Sequence, residues 1–158
     1  MSSVLHRYRA LCHWEGSTLA GYESYPRVHR MRLVGPDLEL DLSADPAFRG
    51  DGTRPNPEQL LLAAAVSCQL LSFLAVAARA RLDVLRYDDD AEAEMSEADK
   101  PIRIARVRLR PEILMAVGPT EDRVRRLVEQ AHRECFIANS LNSEMVIEPT
   151  IAFLGGGG

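Results

Sequence analysis

Two cysteines, Cys68 and Cys135, are the residues of this sequence best suited to covalent chemistry. A thiol attacks a peroxide only as the thiolate, so its ordinary pKa of about 8.5 must be lowered, typically by a neighbouring cation. Each cysteine has polar company in an otherwise apolar stretch, because Ser67 and Gln69 flank Cys68 and Asn139 follows Cys135. The pattern favours reactive thiols, while the alternative that both are small core residues stays open.

Arginine suits such a thiolate, because it stays charged and can donate hydrogen bonds to both sulfur and a peroxide oxygen. A glutamate can hold the guanidinium through a bidentate pair, and Glu58 is the candidate for that role. On one straight helix Glu58 would lie about 15 Å from Cys68, which is too far for contact. The sequence therefore requires either a break in the helix or an arginine that bridges the gap.

The segment that carries Cys68 has the signals of a helix. Asn56 is a good N-cap, Pro57 suits the first helical position, and Gln59 completes a capping box. The helical pattern continues to about Arg81. We therefore expect one long helix with Cys68 near its centre.

Residues 60–78 of this helix carry no charge, and their number approaches the roughly 20 residues that span a bilayer. Polar residues interrupt the stretch at Ser67, Gln69 and Ser72, and its alanine content is high. A helix that is apolar on every side is also typical of a protein interior. We expect burial, which a chain of 158 residues achieves most easily inside a dimer.

A second helix follows the N-cap Thr120 and places Cys135 on its apolar face. Its apolar positions are spaced as one amphipathic stripe: Val124, Leu127, Val128, Ala131 and Cys135. Alternating patterns predict strands at residues 9–13, 28–34, 38–42, 90–95, 102–110 and 145–153. A change of phase near Ala105 indicates a β-bulge, and Pro149 favours an edge position.

The order of strands, helix, strands, helix and strand predicts an α+β fold. We expect a single domain over residues 1–154 and a flexible glycine tail at 155–158. The formal charge is -4, from 19 basic and 23 acidic residues, which argues against a nucleic-acid partner. The arginines at 103, 106, 108 and 110 fit the solvent side of a strand.

The N-terminus lacks the apolar region of a signal peptide, and the three cysteines contain no C-x-x-C pair. A reducing, cytoplasmic location is the simplest interpretation. We expect no membrane partner. The H-x-x-C spacing of His132 and Cys135 lacks the second pair of ligands that zinc needs. The sequence thus predicts neither a metal nor an organic cofactor.

Several segments together resemble the OsmC/Ohr family, the osmotically inducible and organic-hydroperoxide-resistance proteins. They are Asn-Pro-Glu-Gln-Leu at 56–60, Ser-Cys at 67–68, Ala-His-Arg-Glu-Cys at 131–135 and Ile-Ala-Asn-Ser at 137–140. The resemblance runs from Trp14 to the last strand. Many members have proline after the second cysteine, whereas Phe136 stands there in this chain, as in a branch that reads Cys-Phe-Ile-Ala-Asn-Ser.

The resemblance implies an intertwined homodimer, with antiparallel sheets wrapped around central helices and active sites at the interface. It implies that Cys68 is the peroxidatic thiolate, Cys135 the resolving cysteine and Glu58 the anchor of an arginine. Members supply that arginine from either of two N-terminal loops, which correspond here to Arg27 and Arg49. Both remain candidates at this stage.

The predicted function is that of a thiol peroxidase, which forms a Cys68 sulfenic acid and then a Cys68–Cys135 disulfide. A dithiol or a lipoyl-bearing protein would reduce this disulfide. Apolar surroundings of Cys68 favour an organic hydroperoxide over hydrogen peroxide. The alternative is a non-enzymatic dimer of the same fold that binds an apolar ligand or senses redox state.

Overall fold

The computed structural model of the protein describes residues 3–155. The chain forms two compact units, with the boundary after Leu60. The single domain expected over residues 1–154 stays a prediction. Of the predicted glycine tail, Gly155 is described, and residues 156–158 lie outside the described part of the chain.

The N-terminal unit is built on a three-stranded antiparallel sheet. Its strands are β1 (Arg9–His13), β2 (His29–Val34) and β3 (Leu38–Leu42), in that order across the sheet. Gly35 and Asp37 adopt positive φ values of 120° and 55° in the turn between β2 and β3. This turn is the one that the Gly-Pro pair at 35–36 predicts, since glycine enters that backbone region without strain.

The loop after β3 is held tightly by its own polar groups. The Asp45 side chain accepts a 2.8 Å hydrogen bond from the backbone N–H of Ala47 and so caps the short 3-10 turn Pro46–Phe48. Arg49 ends this turn with a φ of 64°. A Cβ atom at Gly50 would lie 1.6 Å from the carbonyl oxygen of Ala44, so only glycine fits there. The loop therefore presents Arg49 on a constrained backbone.

The capping box predicted at the start of the long helix is confirmed. The backbone N–H of Gln59 donates to the Asn56 side chain at 2.9 Å, and the backbone N–H of Asn56 donates to the Gln59 side chain at 3.0 Å. Helix α1 runs without interruption over Pro57–Arg79, two residues short of the end expected near Arg81. Because Arg81 has a φ of 58° and bonds back to Ala78, a left-handed C-terminal cap ends the helix.

The second unit contains two three-stranded sheets. One has the strand order β4 (Val84–Asp89), β7 (Pro111–Met115), β9 (Thr150–Phe153), and the other has the order β5 (Glu92–Met95), β6 (Ile104–Leu109), β8 (Glu144–Ile147). In each sheet the first pair is antiparallel and the second is parallel. The α+β class is confirmed. The sheets of the second unit are mixed, whereas the sheet of the N-terminal unit is antiparallel.

The sequence predicted only some of the strands of this unit. Glu94 pairs with Arg106 and Met95 pairs with Ile104, which leaves Ala105 as the extra residue of the predicted bulge. The last strand predicted at 145–153 is two edge strands, β8 and β9, which Pro149 separates. Strands β4 and β7 were not predicted.

Helix α2 (Glu121–Glu134) and α1 share the larger hydrophobic cluster of the second unit. Phe73, Val76 and Ala77 of α1 pack there with Val128 and Ala131 of α2. Gln69 of α1 is 1% exposed and donates a hydrogen bond of 3.3 Å to the Val128 carbonyl. These contacts fix the helix that carries Cys68 against the helix that ends beside Cys135.

Much of the apolar surface of α1 lies outside these clusters. The helix is long and apolar enough to cross a membrane, although core helices of soluble proteins meet the same criterion. Only 28% of its most apolar window is buried within the single chain, and Leu71 is 62% exposed. The α1 face around Leu71 therefore lacks a cover within the described chain.

Replacement of Asn56 tests whether the cap sets the start of α1. We expect Asn56→Ala to lower the free energy of unfolding by about 1 kcal/mol, because the N–H of Gln59 loses its acceptor. Asn56→Ser keeps a side-chain acceptor and should cost less. Urea denaturation of both variants measures the difference, and equal losses would show that the cap is not the cause.

Candidate functional site

The second unit brings the two predicted cysteines into contact. Cys68 lies near the middle of α1 and is partly exposed, whereas Cys135 follows the last residue of α2 and is 1% exposed. Each thiol shifts the pKa of the other, so the two side chains lie close together. Two residues separated by 67 positions in sequence thus form one dithiol site.

The backbone after α2 turns sharply at Cys135 and passes close to the two thiols. Cys135 leaves the helix with an extended conformation (φ −71°, ψ 112°). The N–H of Asn139 then donates to the Cys135 carbonyl at 3.0 Å, and the Ser140 hydroxyl donates to the Phe136 carbonyl at 2.7 Å. This turn leaves the N–H groups of Phe136 and Ile137 to donate to Cys68.

The environment of Cys68 favours its thiolate. Burial alone would raise the pKa of this thiol. Hydrogen bonds from the Ile137 N–H, the Cys135 thiol, the Phe136 N–H and the Ser72 hydroxyl outweigh burial and lower the pKa below its usual value. The groups that stabilise the thiolate in this unit are therefore uncharged donors.

Cys135 has the opposite tendency. Burial raises the pKa of its thiol, and the adjacent Cys68 raises it further, while the N–H groups of Ala138 and Ile137 oppose the rise. The net direction is upward. Between the two cysteines, Cys68 is thus the one that ionises first, and Cys135 keeps the proton that it donates to Cys68.

Cys68 opens onto a groove of about 510 Å³. The exposed apolar side chains Leu71 and Phe136 line this groove. Its arginine, Arg79, forms a 2.5 Å ion pair with Glu134, which also lines the groove. The charge of Arg79 is therefore already compensated.

Arg27 and Glu58 line a different cavity, within the N-terminal unit. This cavity has a volume of about 470 Å³, and its lining includes the aromatic side chains Trp14 and Phe48. The exposed cysteine, Cys12, also lines it. The predicted arginine anchor and one of its two candidate arginines are thus brought to the same cavity.

The guanidinium of Arg27 is held by its own loop. It lies 3.8 Å from the ring centre of Tyr25 and 4.8 Å from that of Tyr22, within the range of cation–π attraction. It also donates hydrogen bonds to the carbonyl oxygens of both tyrosines, at 2.6 Å for Tyr25. The aromatic pair therefore orients Arg27 without a carboxylate.

Arg49 forms an ion pair with Glu23 and is not among the residues that line the cavity. Within residues 3–155, neither Arg49 nor Arg27 forms an ion pair with Glu58. Because α1 is continuous, the helix break considered above does not occur between Glu58 and Cys68. The roles of Glu58, Arg27 and Arg49 in activating the thiolate stay predictions.

Three donors to Cys68 were not predicted as such: the Ser72 hydroxyl and the N–H groups of Phe136 and Ile137. Ser72 carries a sequence signal, since a residue four positions after Cys68 lies on the same face of a helix. The presence of Phe136 in place of proline is also a signal, because proline would have no N–H to donate. The direction of those N–H groups depends on the turn after α2, which the sequence pattern does not define.

In the part of the chain that the structure describes, no group of three His, Cys, Asp or Glu side chains is arranged to hold a metal ion. His132 of the H-x-x-C spacing is half-buried on α2, and its Nδ1 atom has no hydrogen-bond partner among these residues. The thiol pair is therefore the candidate reactive site.

Known structures share this fold. An OsmC-like protein of unknown function from Vibrio cholerae superposes with a TM-score of 0.83 at 28% identity, over 92% of this chain and 100% of that one. An organic hydroperoxide resistance protein from Elizabethkingia anophelis gives a TM-score of 0.73 at 18% identity, over 96% and 99% of the chains.

A third similar structure is the organic hydroperoxide resistance protein OhrB of Bacillus subtilis, with a TM-score of 0.65 at 16% identity over 94% and 99% of the chains. At identities this low the last two comparisons establish the fold alone. A search of curated protein sequences found no match. Residues 50–150, which include both Cys68 and Cys135, match the family model of OsmC-like proteins. The chain therefore belongs to the OsmC-like protein family.

Proposed function

We propose that this protein is a thiol peroxidase that reduces organic hydroperoxides to alcohols. The observation that carries the proposal is the close pair of Cys68 and Cys135, whose pKa values shift in opposite directions. A peroxidase that uses two cysteines needs one thiol that ionises readily and a second that stays protonated until an oxidised partner forms. The pair meets both needs.

In the first step, the Cys68 thiolate attacks the distal oxygen of the hydroperoxide and the O–O bond breaks. The alkoxide that leaves takes up a proton and becomes the alcohol, while Cys68 becomes a sulfenic acid. In the second step, Cys135 attacks the Cys68 sulfur, water leaves and a disulfide forms. A dithiol or a lipoyl-bearing protein then supplies two electrons and two protons to restore both thiols.

An organic substrate is favoured by the apolar rim of the groove at Cys68. Phe136 is 81% exposed and Leu71 is 62% exposed, and both line this groove. Such side chains gain free energy when an alkyl chain covers them, which hydrogen peroxide cannot do. The names of the two organic hydroperoxide resistance proteins of the same fold point to this substrate class.

The proposal includes a homodimer in a reducing, cytoplasmic setting. The uncovered apolar face of α1 supports it, because large exposed apolar patches on folded proteins mark interaction sites. A second copy of the chain would bury that face against its own α1. The intertwined arrangement implied by the OsmC/Ohr resemblance has the same helix at its centre.

For the cation that assists Cys68, we favour Arg27 over Arg49. Arg27 shares a cavity with Glu58, whereas Arg49 is paired with Glu23. A movement of the Arg27 side chain off Tyr25 would allow the Glu58 pair to form. At an active site on the dimer interface, the guanidinium would then be available to a peroxide oxygen.

A second candidate function is the binding of an apolar ligand without catalysis. The aromatic lining of the cavity in the N-terminal unit, with Trp14 and Phe48, favours this candidate. It predicts tight ligand binding without loss of peroxide. The first experiment below separates the two functions.

The two cysteines should play unequal roles in peroxide reduction. We expect Cys68→Ser to abolish consumption of cumene hydroperoxide, because serine does not ionise near neutral pH. Cys135→Ser should allow one turnover, after which excess peroxide drives Cys68 to sulfinic acid. Intact-mass spectrometry after graded peroxide should show the wild type losing two hydrogens and the Cys135→Ser variant gaining oxygen, with Cys12 unmodified throughout.

Gain of oxygen by the wild type without loss of hydrogens would show that Cys135 does not resolve the sulfenic acid. If Cys68 stays unmodified under excess organic hydroperoxide, the peroxidase proposal fails. The ligand-binding candidate would then take its place.

Alanine at Arg27 should lower kcat/KM for cumene hydroperoxide by at least about tenfold, because a hydrogen bond to a charged group contributes about 1.5–3 kcal/mol. Arg49→Ala is the matched control and should lower kcat/KM by a smaller factor. A larger loss in the control would assign the role to Arg49. No loss in either variant would leave activation to the uncharged donors around Cys68.

The apolar face of α1 should hold two copies of the chain together. We expect the wild type to sediment as a dimer at micromolar concentration, and Leu71→Glu to weaken the dimer, because a buried carboxylate without a partner is costly. Val117→Glu, at an exposed turn, is the control and should leave the dimer intact. A stable, folded wild-type monomer in analytical ultracentrifugation would contradict the proposed dimer.

A further inference from the structure

Ser72 is placed to act on Cys68 directly. It follows Cys68 by one turn of α1, so both side chains lie on the same face of the helix. Both line the groove that opens to solvent, and both are partly buried. The Ser72 hydroxyl is one of the groups that lower the pKa of Cys68.

A serine inside a helix commonly bonds its hydroxyl to the carbonyl oxygen four residues earlier, which here belongs to Cys68. Ser140 makes a bond of this kind to the Phe136 carbonyl, at 2.7 Å. For Ser72, the Cys68 sulfur offers a second acceptor. A sulfur anion is the stronger acceptor of the two when Cys68 ionises.

The charged groups around Cys68 do not supply this stabilisation. Arg79 of α1 and Glu134 of α2 line the groove and are paired with each other at 2.5 Å. The remaining titratable neighbour is Cys135, which is a donor to Cys68. Ser72 adds an uncharged polar group to the groove beside Cys68.

We propose that Ser72 is a further residue of the reactive site, whose hydroxyl donates a hydrogen bond to the Cys68 thiolate and holds the sulfur toward the groove. The backbone N–H groups of Phe136 and Ile137 also favour the thiolate. Together these donors stabilise the anion before any cation approaches. The peroxidatic role of Cys68 rests on the proposed function, but the hydrogen bond can be tested without peroxide.

The test compares Ser72→Ala, which removes the hydroxyl, with Ser72→Thr, which keeps one. Ser67→Ala is the matched control, because Ser67 is on the same helix next to Cys68 and is exposed. The rate of alkylation of Cys68 by iodoacetamide is measured across pH, with peptide mass spectrometry to separate Cys68 from Cys12 and Cys135. Alanine favours helix formation, so Ser72→Ala should keep α1 intact, which circular dichroism verifies.

In the wild type, alkylation is lost as the pH falls through the pKa of Cys68, because only the thiolate reacts. Without the Ser72 hydroxyl the pKa rises, so the midpoint of the profile should move to higher pH. At a fixed pH below the midpoint, the rate should fall about threefold. A tenfold loss of thiolate per pKa unit is partly offset by the greater nucleophilicity of the more basic sulfur.

Ser72→Thr should restore most of the wild-type profile, and Ser67→Ala should leave it unchanged. An unchanged midpoint in Ser72→Ala, or an equal shift in Ser67→Ala, would overturn the proposal. A separate assay with cumene hydroperoxide keeps the two proposals apart. If only the peroxidase proposal is wrong, Ser72→Ala still shifts the alkylation midpoint although the wild type consumes no peroxide. If only the Ser72 proposal is wrong, the wild type consumes peroxide but the midpoint does not move.

Discussion

The close approach of the thiols of Cys68 and Cys135 is the interaction on which the site depends. It exists because α1 and α2 pack together through Phe73, Val128 and their neighbours, and because the chain turns directly after α2. Burial by itself would keep both thiols protonated. Donors that converge on the Cys68 sulfur make the two thiols differ, so the pKa of Cys68 is lowered while that of Cys135 is raised.

In this arrangement neutral groups stabilise the thiolate that thiol chemistry requires. Backbone N–H groups are fixed by the fold and do not change with pH, whereas an arginine can move between partners. Arg27, held by the rings of Tyr22 and Tyr25, and Arg79, paired with Glu134, both have other partners in this structure. A cation that arrives with the substrate would then act on the peroxide oxygen, where charge develops as the O–O bond breaks.

Local signals in the sequence predicted local structure well. The reciprocal bonds of Asn56 and Gln59 and the bulge at Ala105 follow from patterns a few residues long. Strand β4 was missed because an irregularity between Val84 and Arg86 breaks its alternation. Strand β7 was missed because only Arg110 separates it from β6, without a turn signal between them. Sheet pairing, which decides both cases, is a long-range property that alternation alone does not encode.

The sequence by itself determined which residues can do chemistry and the family resemblance that its motifs carry. Residue types and spacing suffice for that, because thiol reactivity and helix capping depend on nearby atoms. Only the tertiary structure decided that Cys68 and Cys135 lie close together and that Arg27, rather than Arg49, lines a cavity with Glu58. It also decided that Ser72 and the N–H of Phe136 face the thiolate. These facts depend on how two helices pack and how one turn is oriented, which distant parts of the chain decide together.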